Sequence, residues 1–168
     1  MHLKPLLVAS SLAAASLGSY AVTTNWGTHA PLEPGGAFTQ GGFVDDTFEF
    51  TLGSNYLVAS SAFTLFGTVA PATYSIFTVG GDGLVGTVDD AGLYAWTFGA
   101  TPAVHTVTLG GGSYYYSVFG KALGPAAYAI SSSITAVPPV PVPEPETYAM
   151  LLAGLGVVGF LARRRRID

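Results

Sequence analysis

Three groups of residues in this chain have types and spacings that could do chemistry. Two acidic, glycine-rich turns, Gly80-Gly81-Asp82-Gly83 and Asp89-Asp90-Ala91-Gly92, put carboxylates on tight bends. Carboxylates so placed offer the hard oxygen ligands that calcium takes, which makes Asp82, Asp89 and Asp90 the candidate metal ligands. Asp-Gly steps are also ordinary hairpin chemistry, and the spacing fits no calcium loop. A tyrosine run, Tyr114, Tyr115 and Tyr116, must alternate between the two faces of a strand. One face is then core, and the other could present rings for stacking against sugars. The third group lies near the end of the chain, where Pro143-Glu144-Pro145 and Glu146 precede sixteen uncharged residues and four arginines. Its chemistry would be that of a substrate, an extended stretch of chain open to a protease.

Other chemistries find no residues. Cysteine is absent, which excludes thiol catalysis, iron–sulfur clusters and thiolate zinc sites. His29 falls in a loose segment and His105 alternates with Val104 and Thr106 as a plain strand residue. No nucleophile elbow, zinc-binding His-Glu-x-x-His or phosphate-cradling loop occurs, so the expectation is a non-enzymatic chain without a cofactor. Between Val22 and Pro143, seven acids face Lys121 alone, leaving about −6. That sign gives nucleic acid nothing to bind.

The elements that must position these residues are strands. The 168 residues include 22 glycines and 11 prolines, a composition that suits many short strands joined by turns. In residues 43–52, Phe48, Phe50 and Leu52 alternate with Thr47, Glu49 and Thr51, the period of a half-buried strand. Asp45 and Asp46 read as exposed carboxylates at a strand edge. Further strands are expected at 56–66, 73–79, 84–88, 93–98, 104–109, 113–119 and 128–135, with a turn at Ala70-Pro71. About eight antiparallel strands predict an all-β sandwich or jelly roll over residues 43–136. Residues 22–42, punctuated by Pro31, Pro34, Gly35, Gly36, Gly41 and Gly42, read as a loose leader.

Both ends read as export signals. Residues 1–21 resemble a secretory signal peptide: Lys4, an apolar stretch from Leu6 to Leu17, then Ser19-Tyr20-Ala21, with cleavage expected after Ala21. Residues 137–143, with proline at nearly every second position, predict an extended polyproline II linker. The uncharged run 147–162 would be about 24 Å long as a helix and reads as a short transmembrane span. Arg163, Arg164, Arg165 and Arg166 would stop it on the cytoplasmic side.

This order of parts, Pro143-Glu144-Pro145, apolar helix and arginine cluster over residues 143–166, resembles the PEP-CTERM sorting signal of Gram-negative, exopolysaccharide-producing bacteria. The resemblance implies an exosortase as partner, a membrane-embedded cysteine transpeptidase-like protease that cuts the tail. It also implies a transient inner-membrane anchor, and then a place at the cell surface or outside the cell. The body resembles the FxDxF group of such proteins through Val44-Asp45-Asp46-Thr47-Phe48 and through Gly112-Ser113-Tyr114-Tyr115-Tyr116-Ser117-Val118-Phe119-Gly120 followed by Tyr128. That group brings no assigned chemistry. The expected role is a structural or interaction component of an extracellular matrix or biofilm, with exopolysaccharide as a further partner. The rival expectation is a carbohydrate- or calcium-binding adhesin.

Overall fold

Period two governs the body. In strand β3 (Gly42–Leu52), Val44, Asp46, Phe48, Phe50 and Leu52 are buried while Phe43, Asp45 and Thr51 are exposed. The computed structural model describes residues 21–138 and 145–164, and the chain divides into two compact units, Met1–Val137 and Pro138–Asp168. The described part of the first unit holds nine strands. Besides β3 these are β1 (Thr23–Thr28), β2 (Leu32–Thr39), β4 (Tyr56–Phe66), β5 (Val69–Thr78), β6 (Ala91–Thr97), β7 (His105–Leu109), β8 (Gly112–Ala122) and β9 (Ala126–Ala136).

They form two sheets, ordered β1-β3-β8-β5-β6 and β2-β9-β4-β7. Every pairing is antiparallel except that of β1 with β3, which is parallel. Inward residues of both sheets build one core: Phe48, Phe50, Tyr74, Ile76, Tyr116 and Val118 from the first, Val58, Tyr128 and Ile130 from the second. The expected sandwich is present.

Three local expectations do not hold. Residues 22–42 are not a loose leader, because β1 and β2 occupy most of them and pair with β3 and β9. Two of the glycines there, Gly35 and Gly36, serve close approach. A Cβ on Gly35 would stand 2.6 Å from the Phe48 ring, and Gly36 has φ +152° with the Tyr128 carbonyl against it. Residues 84–88 form no strand but part of the loop joining β5 to β6, where glycine and aspartate turn chemistry overrides the β-propensity of Val85 and Val88. Ala70-Pro71 lies inside β5, at a register shift between Val69 and Ala72 where a missing N–H is tolerated.

The second unit contributes one helix, α1 (Pro145–Arg164), whose 20 residues measure about 30 Å. Pro145 opens it, Glu146 lies in its first turn and Arg163 and Arg164 lie in its last, each where the helix dipole favours it. The transmembrane expectation for 147–162 is corrected: among the described residues no helix is long and apolar enough to cross a membrane. A span takes about 20 predominantly apolar residues. Here the uncharged run is sixteen residues, opens with Thr147 and Tyr148, and is diluted by Gly154, Gly156 and Gly159. The signal segment 1–20 and most of the linker, 139–144, lie outside the described residues.

Candidate functional site

The tail segment consists of α1 and the residues leading into it. Met150, Leu151, Leu152, Leu155, Val157, Val158, Phe160 and Leu161 are all exposed, so the helix is apolar on several sides at once. Such a surface calls for an apolar partner rather than water. Pro143, Glu144, Arg165 and Arg166 fall outside the described residues, whereas Pro145 starts the helix and Arg163 and Arg164 are exposed at its end.

The tyrosine run on β8 alternates as expected, yet no face of it is open. Tyr114 and Tyr116 point into the core, and Phe50 stacks on both at 5.7 and 5.2 Å. Tyr115 points to the outer face but is also buried, because the 79–90 loop folds over it. Its ring lies parallel to Phe77 at 5.1 Å, and its hydroxyl donates to Asp90 Oδ2 at 2.9 Å. Burial, then the Asp90 hydrogen bond, pushes the Tyr115 phenol up to about 12. The expected sugar-stacking platform at Tyr114, Tyr115 and Tyr116 is therefore covered.

The acidic turns have become the frame of that loop. Asp90 accepts from the Gly80 N–H at 2.7 Å, the Gly86 N–H at 2.7 Å and the Thr87 N–H at 3.1 Å, besides Tyr115. Asp89 accepts from Thr87 Oγ1 at 2.6 Å and the Asp82 N–H at 3.3 Å, and Asp82 accepts from the Leu84 N–H at 2.9 Å. Partial burial pushes Asp90 upward, but the donors from Gly80, Tyr115, Thr87 and Gly86 outweigh it and its carboxyl titrates below the usual range. Asp89 is lowered too, chiefly by the Thr87 hydroxyl. N–H groups aimed at carboxylate oxygens occupy the directions a cation would need. Among the described residues no three acidic or imidazole groups are placed to share one ion.

A cavity of about 330 Å³ lies beside this loop, lined in part by Asn25, Glu49, Val79, Gly80 and Ser113. Glu49 there already accepts from Asn25 Nδ2 at 2.9 Å. On β6, Tyr94 and Trp96 stack at 5.7 Å, and Trp96 stacks on His105 at 4.8 Å. Tyr94 is exposed.

Two buried polar clusters escaped the sequence reading. His29 donates through Nδ1 to the Ala30 carbonyl, which leaves Nε2 to accept from Ser132 Oγ at 2.7 Å; Ser132 Oγ in turn accepts from the Tyr116 hydroxyl at 2.9 Å. Burial holds the His29 imidazole below its ordinary pKa and pushes the Tyr116 phenol up to about 12. Ser132 is 0% exposed, so this serine–histidine pair faces no substrate and serves to satisfy core polar groups.

The second cluster centres on Asp46. It is 3% exposed, not the exposed edge carboxylate that the sequence suggested, because it shares parity with Phe48 and because β3 lies between β1 and β8. Its Oδ2 accepts from the Tyr128 hydroxyl at 2.6 Å and its Oδ1 from the Val22 N–H at 2.9 Å. Burial raises its pKa, the two hydrogen bonds oppose that, and the like charge of Asp45 adds to it. The Tyr128 phenol is strongly raised by the same burial. The paired Val44-x-Asp46-x-Phe48 spacing carries the signal that could have found this site.

Comparison with known proteins bears mainly on the tail. The model of the PEP-CTERM protein-sorting motif matches residues 141–166. No curated protein matches the chain. Among solved structures, the pre-peptidase C-terminal domain of collagenase from Bacillus anthracis is similar at 12% identity and a TM-score of 0.46, over 69% of this chain and 99% of that one. The sorting motif accounts for the tail and leaves the sandwich unassigned.

Proposed function

We propose that this chain is an exported, non-enzymatic β-sandwich protein that an exosortase recognises and processes through its C-terminal tail. The observation that carries the reading is the PEP-CTERM motif at 141–166, which overlaps an apolar helix with exposed Met150, Leu151, Leu155 and Phe160 and arginines at its end. An apolar groove in a membrane-embedded protease would cover that helix, and the proline-rich stretch ahead of it would present extended chain for cleavage. Sorting then takes place at the inner membrane, and the sandwich passes to the cell surface or beyond. There it acts as a structural or interaction component of the matrix, in keeping with its FxDxF resemblance. In a host lacking the exosortase the protein should keep its tail, α1 included, as read by intact mass. Loss of the tail to the same extent with and without the protease would contradict the proposal.

A carbohydrate-binding adhesin is the second reading. What favours it is the Tyr94–Trp96–His105 row with Tyr94 exposed, rather than the covered tyrosine run.

A further inference from the structure

Among the described residues, Asp46 is a buried carboxylate with no cation against it. Its two donors are an amide and a phenol, and the neighbouring charge that acts on it is Asp45, of like sign. Lys121, the sole lysine or arginine between Val22 and Pro143, instead holds its ammonium 5.8 Å from the Phe43 ring. A buried carboxylate left unpaired is costly. The amide that touches it belongs to Val22, the residue directly after the expected cleavage point at Ala21. Ala21 is exposed and Val22 is half-buried, so the Ala21–Val22 bond sits where the chain enters the fold. The Val22 carbonyl is already tied to the sheet, accepting from the Thr47 N–H at 2.8 Å, and Thr23 is in register with Thr47.

We propose that removal of the leader after Ala21 converts Val22 into an ammonium terminus that pairs with Asp46, so that export itself supplies the missing cation. A leader peptidase hydrolyses the Ala21–Val22 amide with one water. The water oxygen joins the Ala21 carboxyl group, and the Val22 nitrogen leaves as an amine that takes up a proton at neutral pH, its ordinary pKa being about 7.7 to 8.0. The nitrogen stays at the position from which it now reaches Oδ1, and its charge replaces a neutral donor with a charged one. The consequence reaches further than one contact. β1 is an edge strand whose Trp26 packs on Phe48 at 5.3 Å, so fixing its first residue holds that ring against the core. Asp46 and Tyr128, two of the residues through which the body resembles the FxDxF group, are then the socket for the new terminus.

The test uses the exported full-length product and reads its N-terminal end, so it is independent of the fate of the tail. N-terminal sequencing should begin at Val22. The Val22 amine should titrate at least one unit above its ordinary value, and so react with an acylating reagent at neutral pH at least about eightfold more slowly than in a variant with two alanines inserted between Ala21 and Val22. Lys121 provides the internal reference for reagent activity. Asp46→Asn should return the amine to ordinary reactivity, and the insertion variant keeps the test sound if that substitution fails to fold. A first residue other than Val22, or equal labelling of the amine in the wild-type and inserted proteins, would overturn the proposal.

Discussion

Asp46 and Asp90 each accept a hydrogen bond from a tyrosine hydroxyl, and their pKa values move in opposite directions. Asp46 sits between the sheets with two donors, and burial dominates and raises it. Asp90 sits on the outer loop with four donors, and these overcome its partial desolvation and lower it. The number of oriented donors, weighed against the loss of water, decides the sign. The loop therefore keeps its carboxylate ionised and uses the charge to order backbone N–H groups. The interior carboxylate lacks a counter-charge among the described residues. One region is built around its acid, while the other is waiting for something to complete it.

The largest effect should separate the two regions by packing. Tyr116→Ala removes a fully buried ring and its hydroxyl from the His29–Ser132 chain, and should cost about 3 to 5 kcal/mol in denaturant unfolding. Val88→Ala, on the exposed loop, should fall within about 0.5 kcal/mol of wild type. A loop substitution as costly as the core one would erase the contrast.

A smaller pair of substitutions isolates the hydroxyls. Tyr128→Phe leaves Asp46 short of a donor inside the sandwich and should destabilise by about 1 to 3 kcal/mol. Tyr115→Phe leaves Asp90 with three N–H donors and access to water, so roughly 1 kcal/mol or less is expected. Thermal melts of the two variants side by side measure the difference, and equal losses would break the comparison.

The finest test is the slope of stability with pH. A carboxylate raised in the folded state binds protons more readily there than when unfolded, so its effect on stability becomes more favourable as pH falls through the raised value towards about 3.8. A lowered carboxylate contributes stability above about 3.8 that is lost as pH falls through its folded value. Melting differences between wild type and Asp46→Asn, and between wild type and Asp90→Asn, should thus change in opposite senses in protein that retains residues ahead of Val22. In protein that begins at Val22, the ammonium should bring Asp46 into line with Asp90. Parallel slopes in both forms would remove the distinction.

These two regions also show how far the sequence could be read. The alternation in β3 made Phe48, Phe50 and Leu52 legible as core, and the same parity places Asp46 beside them. A carboxylate at a core position contradicts composition, so it reads as an edge until Tyr128 and Val22, distant in sequence, are seen beside it. β2 was illegible because Pro34-Gly35-Gly36 has the composition of a loop, and only the approach of Phe48 to Gly35 and of the Tyr128 carbonyl to Gly36 explains the glycines. The alternation of Tyr114, Tyr115 and Tyr116 was legible, but the cover over Tyr115 comes from a loop 25 residues away in the chain. The sorting motif needed no tertiary information, since its parts are contiguous over residues 141–166.

The central claim, that the tail is a processing signal, is tested most directly by the intact mass of the exported protein from a host that carries an exosortase. The predicted result is a C-terminus before Tyr148, within or close to Pro143-Glu144-Pro145-Glu146, with α1 and its arginines gone. Exported protein whose mass still includes Arg166 would contradict the claim.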